Sequence, residues 1–324
     1  MNRESLRSRL SGCYVTLPTM FRGGDLELDL QAIRKHVRFL RDGGIKEGTG
    51  VLLAGGAAGD FSTMTFSERL KVAETVIEEA DGKVPVAMGA QTTSTRELVE
   101  LARAAGRLGA DYIQVSPPFY FAHTEQDFFE FVAAAAEASD VGIIVYNTYW
   151  TSSEVSPAMV ERMLELPNVI GIKWSVPDHA EKMTFGQVVS RFSDRLSIID
   201  NQNTFVTSHM LGARSIELHV CNYWPQFGVR LWRLLEERQY VESQQEMFRV
   251  VLPFMQLWAE MEQYTSGDGY LDKLCMELVG LDSSRCRPPT RDVRDKFREK
   301  ARQMLLQCKT PGVVNALHLQ ETGS

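Results

Sequence analysis

The chain has 324 residues, of which 44% are hydrophobic and 24% are charged, so its composition is close to that of an average soluble globular protein. Its formal net charge of −7 argues against nucleic-acid binding, which usually requires a basic surface patch. No apolar segment approaches the roughly 20 residues that a membrane helix needs. The chain begins MNRESLRSRLSG, without the apolar stretch of a signal peptide, so we expect a cytoplasmic protein with no membrane partner.

Short apolar segments typical of strands alternate with longer amphipathic segments typical of helices along most of the chain. The predicted strands are Cys13–Pro18, Gly50–Leu53, Val84–Gly89, Tyr112–Ser116, Gly142–Asn147, Val169–Trp174, Leu196–Asp200 and Ser215–Val220. The helices predicted between them are Leu28–Arg41, Ser67–Glu79, Ser94–Leu108, Glu125–Ala138, Ser156–Leu166, His179–Arg191 and Thr204–Leu211. Strands such as VGIIVYN are apolar on both faces, as parallel strands covered by helices are. The pattern predicts an α/β protein with a closed (β/α)₈ TIM barrel.

A doubly wound open sheet is the alternative fold. Neither the glycine motif of dinucleotide-binding proteins nor the P-loop motif is present, so nucleotide binding lacks its usual sequence signature. After the eighth strand, further helices are predicted at Gly228–Arg238, Val241–Met261, Leu271–Val279 and Thr290–Leu306. We expect residues 1–225 to form the barrel core, residues 226–310 the last barrel helix with a C-terminal helical appendage, and residues 311–324 a disordered tail.

Cysteines and histidines give no sign of a metal or disulfide site. The cysteines are Cys13, Cys221, Cys275, Cys286 and Cys308, odd in number and without a C-x-x-C pair. We expect them to be buried free thiols. The six histidines are scattered, with no H-x-x-x-H or H-E-x-x-H pattern. The sequence therefore predicts no metal and no separate cofactor.

Two titratable residues stand at predicted strand ends, where barrel enzymes carry their chemistry. Lys173 ends the apolar segment VIGIK and is expected to point into the barrel mouth, where partial desolvation lowers the pKa of its ammonium group. A free amine there attacks carbonyl compounds. Tyr146 ends the preceding strand, so its phenol is a candidate proton shuttle. The alternatives are a lysine that is solvated or paired with a carboxylate such as Asp200, and a tyrosine that only packs at the rim.

A glycine-rich turn, Gly55–Gly59, follows the second predicted strand. Its backbone N–H groups are candidates to bind an anion such as a carboxylate. A tight connection between strand and helix explains the glycines equally well.

From Gly12 to Thr310, these segments resemble the dihydrodipicolinate synthase/N-acetylneuraminate lyase family of class I lyases in order and spacing. The segments that carry the resemblance are GCYVTLPTMF in the first strand, Tyr146-Asn147, and Val169–Lys173. The resemblance implies that Lys173 forms an imine with a 2-oxo acid, most often pyruvate, and that Tyr146 moves protons. It also implies that the turn Gly56, Ala57 and Ala58 receives the substrate carboxylate, and that no cofactor beyond the imine is needed.

The resemblance extends to assembly. Tyr120 aligns with a family tyrosine that, in some members, reaches into the site of a neighbouring subunit. A homotetramer, or at least a tight homodimer, is therefore implied, with an aldehyde as the second small-molecule partner.

The departures from the family pattern indicate a divergent activity. The family turn usually reads Gly-Thr-Thr-Gly-Glu or Gly-Ser-Thr-Gly-Glu, whereas here Ala57 and Ala58 carry no hydroxyl groups. The synthase has an arginine after its Tyr-Asn element that grips a second carboxylate, and the segment Thr148–Ser152 contains none. Dihydrodipicolinate synthase activity is therefore not expected.

Aromatic residues near predicted strand ends lead us to expect an aromatic pocket: Phe61, Phe119, Trp150, Trp174, Tyr223 and Trp224. Such walls suit a hydratase-aldolase that acts on aryl-substituted oxo acids. Trp150 and Asn222 are expected substrate contacts, and His219 is a further polar candidate unless it is a core residue. The alternatives are a dehydratase of 2-keto-3-deoxy sugar acids and a non-catalytic barrel that binds a small acid.

Overall fold

The computed structural model describes residues 2–148, 155–175 and 183–313. Eight parallel strands form a closed barrel in chain order, and the last strand pairs with the first. The strands are β1 Gly12–Thr16, β2 Gly50–Ala54, β3 Val86–Gly89, β4 Tyr112–Val115, β5 Gly142–Asn147, β6 Val169–Trp174, β7 Ser197–Asp200 and β8 Ser215–Glu217. The predicted TIM barrel is confirmed, and β5 and β6 have the predicted bounds.

Helices follow the strands around the barrel, and further helices complete the C-terminal part of the chain. They are α1 Arg3–Arg9, α2 Leu30–Asp42, α3 Phe66–Ala80, α4 Thr95–Leu108, α5 Glu125–Ala138, α6 Pro157–Met163, α7 Met183–Phe192, α8 Phe205–Leu211, α9 Pro225–Glu236, α10 Tyr240–Glu246, α11 Leu252–Met261, α12 Tyr270–Leu278 and α13 Arg294–Gln307. None of these described helices is both long and apolar enough to cross a membrane.

Local sequence explains where several helices begin. Thr65 caps α3 and exchanges hydrogen bonds with Glu68, three residues later. Thr124 caps α5 in the same way. At α6, the hydroxyl of Ser156 accepts from the backbone N–H of Met159, and a proline occupies the first turn as predicted. These caps fix the starts of the helices that cover the sheet.

The N-terminal segment is a helix that the sequence analysis did not predict. Asn2 caps α1, whose Leu6 packs with the inner face of the barrel. This inner cluster consists of Leu6, Leu10, Tyr14, Val51, Leu53, Ala87, Tyr112, Ile144, Ile170 and Ile199. Tyr112 donates a hydrogen bond of 2.9 Å to the carbonyl of Leu6. Apolar side chains thus fill the barrel interior from its N-terminal end.

Two other predicted elements are corrected. The eighth strand ends at Glu217 rather than Val220, because the chain turns at Leu218 into a 3₁₀ helix, His219–Asn222. The predicted helix Val241–Met261 contains a π-helical turn, Met247–Val251, just before Pro253, which has no N–H to donate to the carbonyl four residues earlier.

Two further expectations concern the cysteines and the division of the chain into core, appendage and tail. The cysteines are free and buried, as predicted. The division into barrel core, helical appendage and tail stays a prediction, and residues 314–324 of the expected tail lie outside the described residues.

Candidate active site

A cavity of about 420 Å³ opens at the C-terminal ends of the strands and contains both predicted catalytic residues. Its lining includes Ala57, Tyr146, Lys173, Glu217, His219 and Asp268. Lys173 on β6 is the register partner of Tyr146 on β5, so the backbone pairing places the two side chains side by side. The ammonium nitrogen Nζ of Lys173 lies 4.7 Å from the centre of the Tyr146 ring.

Lys173 is buried and paired with a carboxylate that the sequence analysis did not select. Its Nζ lies 2.7 Å from Oε2 of Glu217, and the side chains are 5% and 3% exposed. Burial lowers the pKa of Lys173, but the Glu217 carboxylate and Tyr146 outweigh it, so the pKa lies above its usual value. The expected low pKa is therefore wrong, because the ion pair opposes desolvation.

Asp200, the carboxylate considered as a partner for Lys173, serves another purpose. Its oxygens accept from the backbone N–H of Gln202 and from the hydroxyls of Thr204 and Ser208. Asp200 therefore holds the start of α8. Burial raises its pKa, and these hydrogen bonds oppose the increase.

Glu217 is the functional candidate that the sequence analysis missed. Its Oε1 accepts a hydrogen bond of 2.8 Å from the hydroxyl of Thr16 on β1, which leaves Oε2 directed at Lys173. The available signal was a lone acidic residue between Ile216 and Leu218 in an apolar strand. A charge in such a strand is rarely buried unless it is paired.

Tyr146 is held by residues that follow β7 and β5. Its phenol oxygen accepts a hydrogen bond of 3.2 Å from Nδ2 of Asn201. Burial raises the pKa of Tyr146, opposed by the nearby Lys173 ammonium and by a hydrogen bond with Thr148. Because Ala57 in the cavity wall carries no hydroxyl, Asn201 and Thr148 provide the polar contacts of this phenol.

The turn after β2 is compact and leaves two of its backbone N–H groups without an acceptor among the described residues. Gly56 is closely surrounded: a Cβ added there would lie 2.5 Å from a methyl carbon of Leu53. Gly59 donates to the carbonyl of Gly56 and Asp60 to that of Ala57, whereas the N–H groups of Ala57 and Ala58 have no acceptor among the described residues. Ala57 lines the cavity, and Ala58 is fully buried behind it.

His219 brings a second charged pair to the cavity wall. Its Nδ1 lies 3.1 Å from Oδ2 of Asp272 on α12, and its ring meets Trp258 edge to face at 4.6 Å. Burial lowers the pKa of His219, but Asp272 more than compensates and raises it to about 9. Burial raises the pKa of the nearby Asp268 to about 6, opposed by the charge of His219. The imidazole is therefore charged at neutral pH.

Asn222, an expected substrate contact, lies behind this pair rather than in the cavity wall. It is fully buried and donates hydrogen bonds of 3.0 Å to the carbonyl of Thr16 and 2.9 Å to Asp272. Its side chain is therefore placed to orient Asp272, not to touch a ligand directly.

The expected aromatic pocket is not found in the described part of the cavity. Trp174 stacks on Phe185, Tyr223 on Phe254, and Trp224 packs against Phe227. Phe61 and Phe119 contact each other edge to face, and Phe61 borders an adjacent cavity of about 340 Å³. Trp150 lies outside the described residues. Besides Tyr146, the described wall contains Trp258, and most of the other lining residues are polar.

Tyr120 lies on the surface of the chain. It is 80% exposed and meets the ring of Phe121, itself 67% exposed, edge to face. Both follow β4 along the chain. The structure of the single chain therefore places Tyr120 away from the cavity lining, on an apolar surface.

No group of three or more His, Cys, Asp or Glu side chains is arranged to hold a metal ion in residues 2–148, 155–175 and 183–313. The charged groups of the cavity are instead organised as lysine–carboxylate and histidine–carboxylate pairs. Their placement provides an amine, a phenol and carboxylates for proton transfer.

The amino-acid sequence matches a known protein family. Residues 9–308 match the model of the dihydrodipicolinate synthetase family. A 4-hydroxy-tetrahydrodipicolinate synthase of Methylobacterium radiotolerans is 38% identical over 171 residues, which cover 52% of this chain and 55% of that protein. The aligned part thus spans about half the length of this relative. A DapA-like lyase of Thermococcus onnurineus is 25% identical over 91% of this chain and 98% of its own length.

A solved structure shares the fold. It is YagE, a prophage protein of E. coli K12 in complex with pyruvate, with a TM-score of 0.82, 22% identity, and coverage of 92% of this chain and 98% of that one. At this identity, the likeness concerns the fold alone. The family match over nearly the whole chain agrees with the resemblance found in the sequence. The chain belongs to the dihydrodipicolinate synthetase family and has a TIM-barrel fold.

Proposed function

We propose that the protein is a class I lyase that forms an imine between Lys173 and a 2-oxo acid such as pyruvate, and then makes or breaks a carbon–carbon bond. The observation that carries this proposal is the position of Lys173: it is buried, borders the cavity, and lies beside Tyr146 in register. A lysine that only supported the fold would not need to border a cavity.

The residues present account for the steps of such a reaction. The free amine of Lys173 attacks the ketone carbon, and loss of water gives an iminium group that withdraws electrons from the adjacent carbon. Tyr146 donates to or accepts from oxygen atoms of the substrate as bonds change. The free N–H groups of Ala57 and Ala58 are proposed to bind the substrate carboxylate, as backbone groups of tight turns do.

The charges of the cavity make a dicarboxylate product unfavourable. Glu217, Glu262 and Asp268 line it, and its described wall contains no arginine. A second carboxylate would therefore meet negative charge, and the charged His219 in the same wall is already paired with Asp272. We infer that the aldehyde partner is uncharged or cationic, and that the activity differs from that of the synthase relative.

A second candidate is a dehydratase of 2-keto-3-deoxy sugar acids. The polar wall favours it, since Asn201, Gln202 and Asn203 offer amide groups to substrate hydroxyls. The charged His219 could also donate a proton to a departing hydroxyl. The described wall gives less support to an aryl-substituted substrate, and a binding protein without turnover would have no use for the Lys173 amine.

The test is intact-protein mass spectrometry after incubation with pyruvate and sodium borohydride. We expect one stable adduct of reduced pyruvate, mapped by peptide analysis to Lys173 and absent from Lys173→Met. Lys273, a second fully buried lysine, serves as an internal control that should stay unmodified. If no member of a panel of 2-oxo acids gives an adduct, the imine mechanism is wrong. Once an adduct is found, product analysis with hydroxylated and aromatic aldehydes separates aldolase from dehydratase.

A further inference from the structure

We propose that Glu217 is a third catalytic residue, which takes the proton from the Lys173 ammonium group and delivers it to the departing hydroxyl during imine formation. This inference rests on the proposed imine function. Glu217 contacts the reacting nitrogen directly, with Oε2 at 2.7 Å from Nζ, and it borders the same cavity. Thr16 fixes its other oxygen at 2.8 Å.

The chemistry requires a proton acceptor at this place. An ammonium group has no lone pair, so Lys173 must lose a proton before it attacks a carbonyl carbon. With the two side chains 5% and 3% exposed, bulk water has little access to the pair. A carboxylate oxygen that lies 2.7 Å from the ammonium nitrogen is close enough to accept the proton directly.

The neighbouring phenols do not compete for this role. Burial raises the pKa of both Tyr146 and Tyr14, so both are protonated at neutral pH and cannot accept a proton from the ammonium group. Tyr14 also donates its hydroxyl hydrogen to Gln114 at 3.1 Å. Among the described side chains in contact with Nζ, which are Glu217, Tyr14 and Tyr146, only Glu217 presents a basic oxygen.

The proton balance closes within the pair. Glu217 takes one proton from the ammonium group, and the neutral amine then forms a bond to the ketone carbon while the carbonyl oxygen becomes a hydroxyl, using the second nitrogen proton. The carboxylic acid of Glu217 returns its proton to that hydroxyl, the carbon–oxygen bond breaks, and water leaves. The products are the iminium group, one water and the regenerated carboxylate, so no external acid, base or oxidant is consumed.

Glu217 interacts electrostatically with charged and titratable groups from several elements. They are Lys173 on β6, Tyr146 on β5, Tyr14 on β1, Cys221 and His219 in the 3₁₀ helix, and Asp268 before α12. Lys173 is the cation in direct contact. The pH dependence of imine formation therefore reports a coupled group rather than one residue.

A role as counter-ion alone makes the opposite prediction from a role in proton transfer. Removing the carboxylate removes the main cause that raises the pKa of Lys173, so the neutral amine becomes more abundant at neutral pH. If Glu217 only balanced charge, Glu217→Gln would form the imine as fast as the wild type or faster. If Glu217 transfers the proton, Glu217→Gln is slower even though more amine is free.

The experiment measures the rate of borohydride-trappable adduct formation with pyruvate between about pH 5 and 8, where proteins are usually most stable, in the wild type, Glu217→Gln and Glu217→Ala. We expect a loss of about 10²–10⁴-fold in Glu217→Gln, the usual weight of acid–base catalysis. Formate should restore the rate of Glu217→Ala in proportion to its concentration, but not that of Glu217→Gln, whose amide fills the space. Circular dichroism confirms that each variant is folded.

The possible failures are distinguishable. Adduct formation in Glu217→Gln at the wild-type rate or faster overturns the role of Glu217 and leaves the Lys173 imine intact. A slow Glu217→Ala that formate does not accelerate also overturns it, because a misplaced lysine would give that result. The absence of any adduct in the wild type overturns the proposed function, and this inference with it.

Discussion

The part of the chain that the structure describes contains two buried lysine–carboxylate pairs with nearly the same nitrogen–oxygen distance in different surroundings. Lys173 and Glu217 are 2.7 Å apart, and Lys273 and Asp60 are 2.6 Å apart. The first pair borders the cavity, whereas Lys273 has no exposed surface and lies under the ring of Phe21 at 4.7 Å. The nitrogen–oxygen distances of the two pairs are thus nearly equal, but Lys173 borders a cavity that can hold a ligand, whereas Lys273 is fully buried.

The two pairs also connect different parts of the chain. Lys173 and Glu217 join two strands of the barrel, whereas Lys273 joins α12 to Asp60 at the end of the turn after β2. Burying an ion pair carries a desolvation cost that its attraction often fails to exceed. We infer that the Lys273 pair is kept because it fixes the turn against α12, and the Lys173 pair because its amine reacts.

The largest expected effect is on the cavity pair. Lys173→Met should abolish the borohydride-trappable adduct and all turnover, since the side chain no longer carries a nucleophile. The free energy of unfolding should fall by only about 1–2 kcal/mol, because Glu217 keeps its hydrogen bond from Thr16 and borders the cavity instead of close-packed side chains. Turnover and urea unfolding of the same preparation check both statements. Residual imine formation in this variant would locate the reactive amine elsewhere.

The pair of Lys273 and Asp60 should show the reverse. Lys273→Met leaves Asp60 buried without its cation, so the free energy of unfolding should fall by about 3–5 kcal/mol. Urea denaturation measures the loss, with Lys173→Met as the matched control for replacing a buried lysine. The double variant Lys273→Met/Asp60→Asn should recover part of the stability, because no unpaired charge is left. Equal destabilisation by the two lysine substitutions would remove the distinction between the pairs.

Much of the fold could be predicted from the sequence because buried segments have a recognisable pattern of apolar residues. Strands covered on both faces are continuously apolar, as in β5 and β6, whose bounds match the prediction. A lysine and a tyrosine at the ends of such strands are conspicuous, and the pairing of Tyr146 with Lys173 follows from adjacent parallel strands. These features depend on local pattern and on chain order.

The carboxylate partner of Lys173 depends instead on how the barrel closes. Asp200 is the register partner of Trp174, whereas Lys173 pairs with Ile199, whose side chain belongs to the inner cluster. Side chains of one strand alternate between faces, so Asp200 points away from the interior. Inward residues of one layer come from alternate strands, which brings β8 and its Glu217 to Lys173. Trp174 was expected in the pocket and is absent from it for the same reason, since it follows Lys173 directly and faces outward onto Phe185.

Tyr146 offers a finer test of the cavity pair. Tyr146→Phe keeps the ring beside Lys173 but removes the hydroxyl, so turnover should fall by about 10²–10⁴-fold with little change in stability. Steady-state kinetics with the identified substrate and the rate of adduct formation separate its effect on bond cleavage from its effect on imine formation. Asn201→Ala removes the donor to this hydroxyl and should have a smaller effect of the same kind. Unchanged turnover in Tyr146→Phe would restrict this residue to packing.

The His219 pair should make stability depend on pH in a range that neither lysine pair controls. The pKa of His219 is raised from 6.5 to about 9, so its contribution is fully present below pH 6.5 and is lost as the pH rises through 9. The change is on the order of 1–3 kcal/mol. The raised pKa of Asp268 lowers the free energy of unfolding over a lower range, as the pH rises from 3.8 to about 6. The effects of Asp268 and His219 on stability are therefore separable. Urea unfolding at several pH values should show the alkaline loss in the wild type and not in His219→Gln.

The smallest expected effect is on self-association and involves neither of the two lysine–carboxylate pairs. Tyr120 and Phe121 form an exposed aromatic surface, and the family resemblance implies that the tyrosine meets a neighbouring subunit. Tyr120→Ala should weaken self-association about tenfold, the effect of losing about 1.4 kcal/mol at an interface. Sedimentation velocity over a range of concentrations measures it, with Tyr264→Ala as a control, because Tyr264 is exposed but packs on Phe297 of α13. If Tyr120→Ala associates like the wild type but loses turnover, Tyr120 contributes to the site without holding the oligomer together.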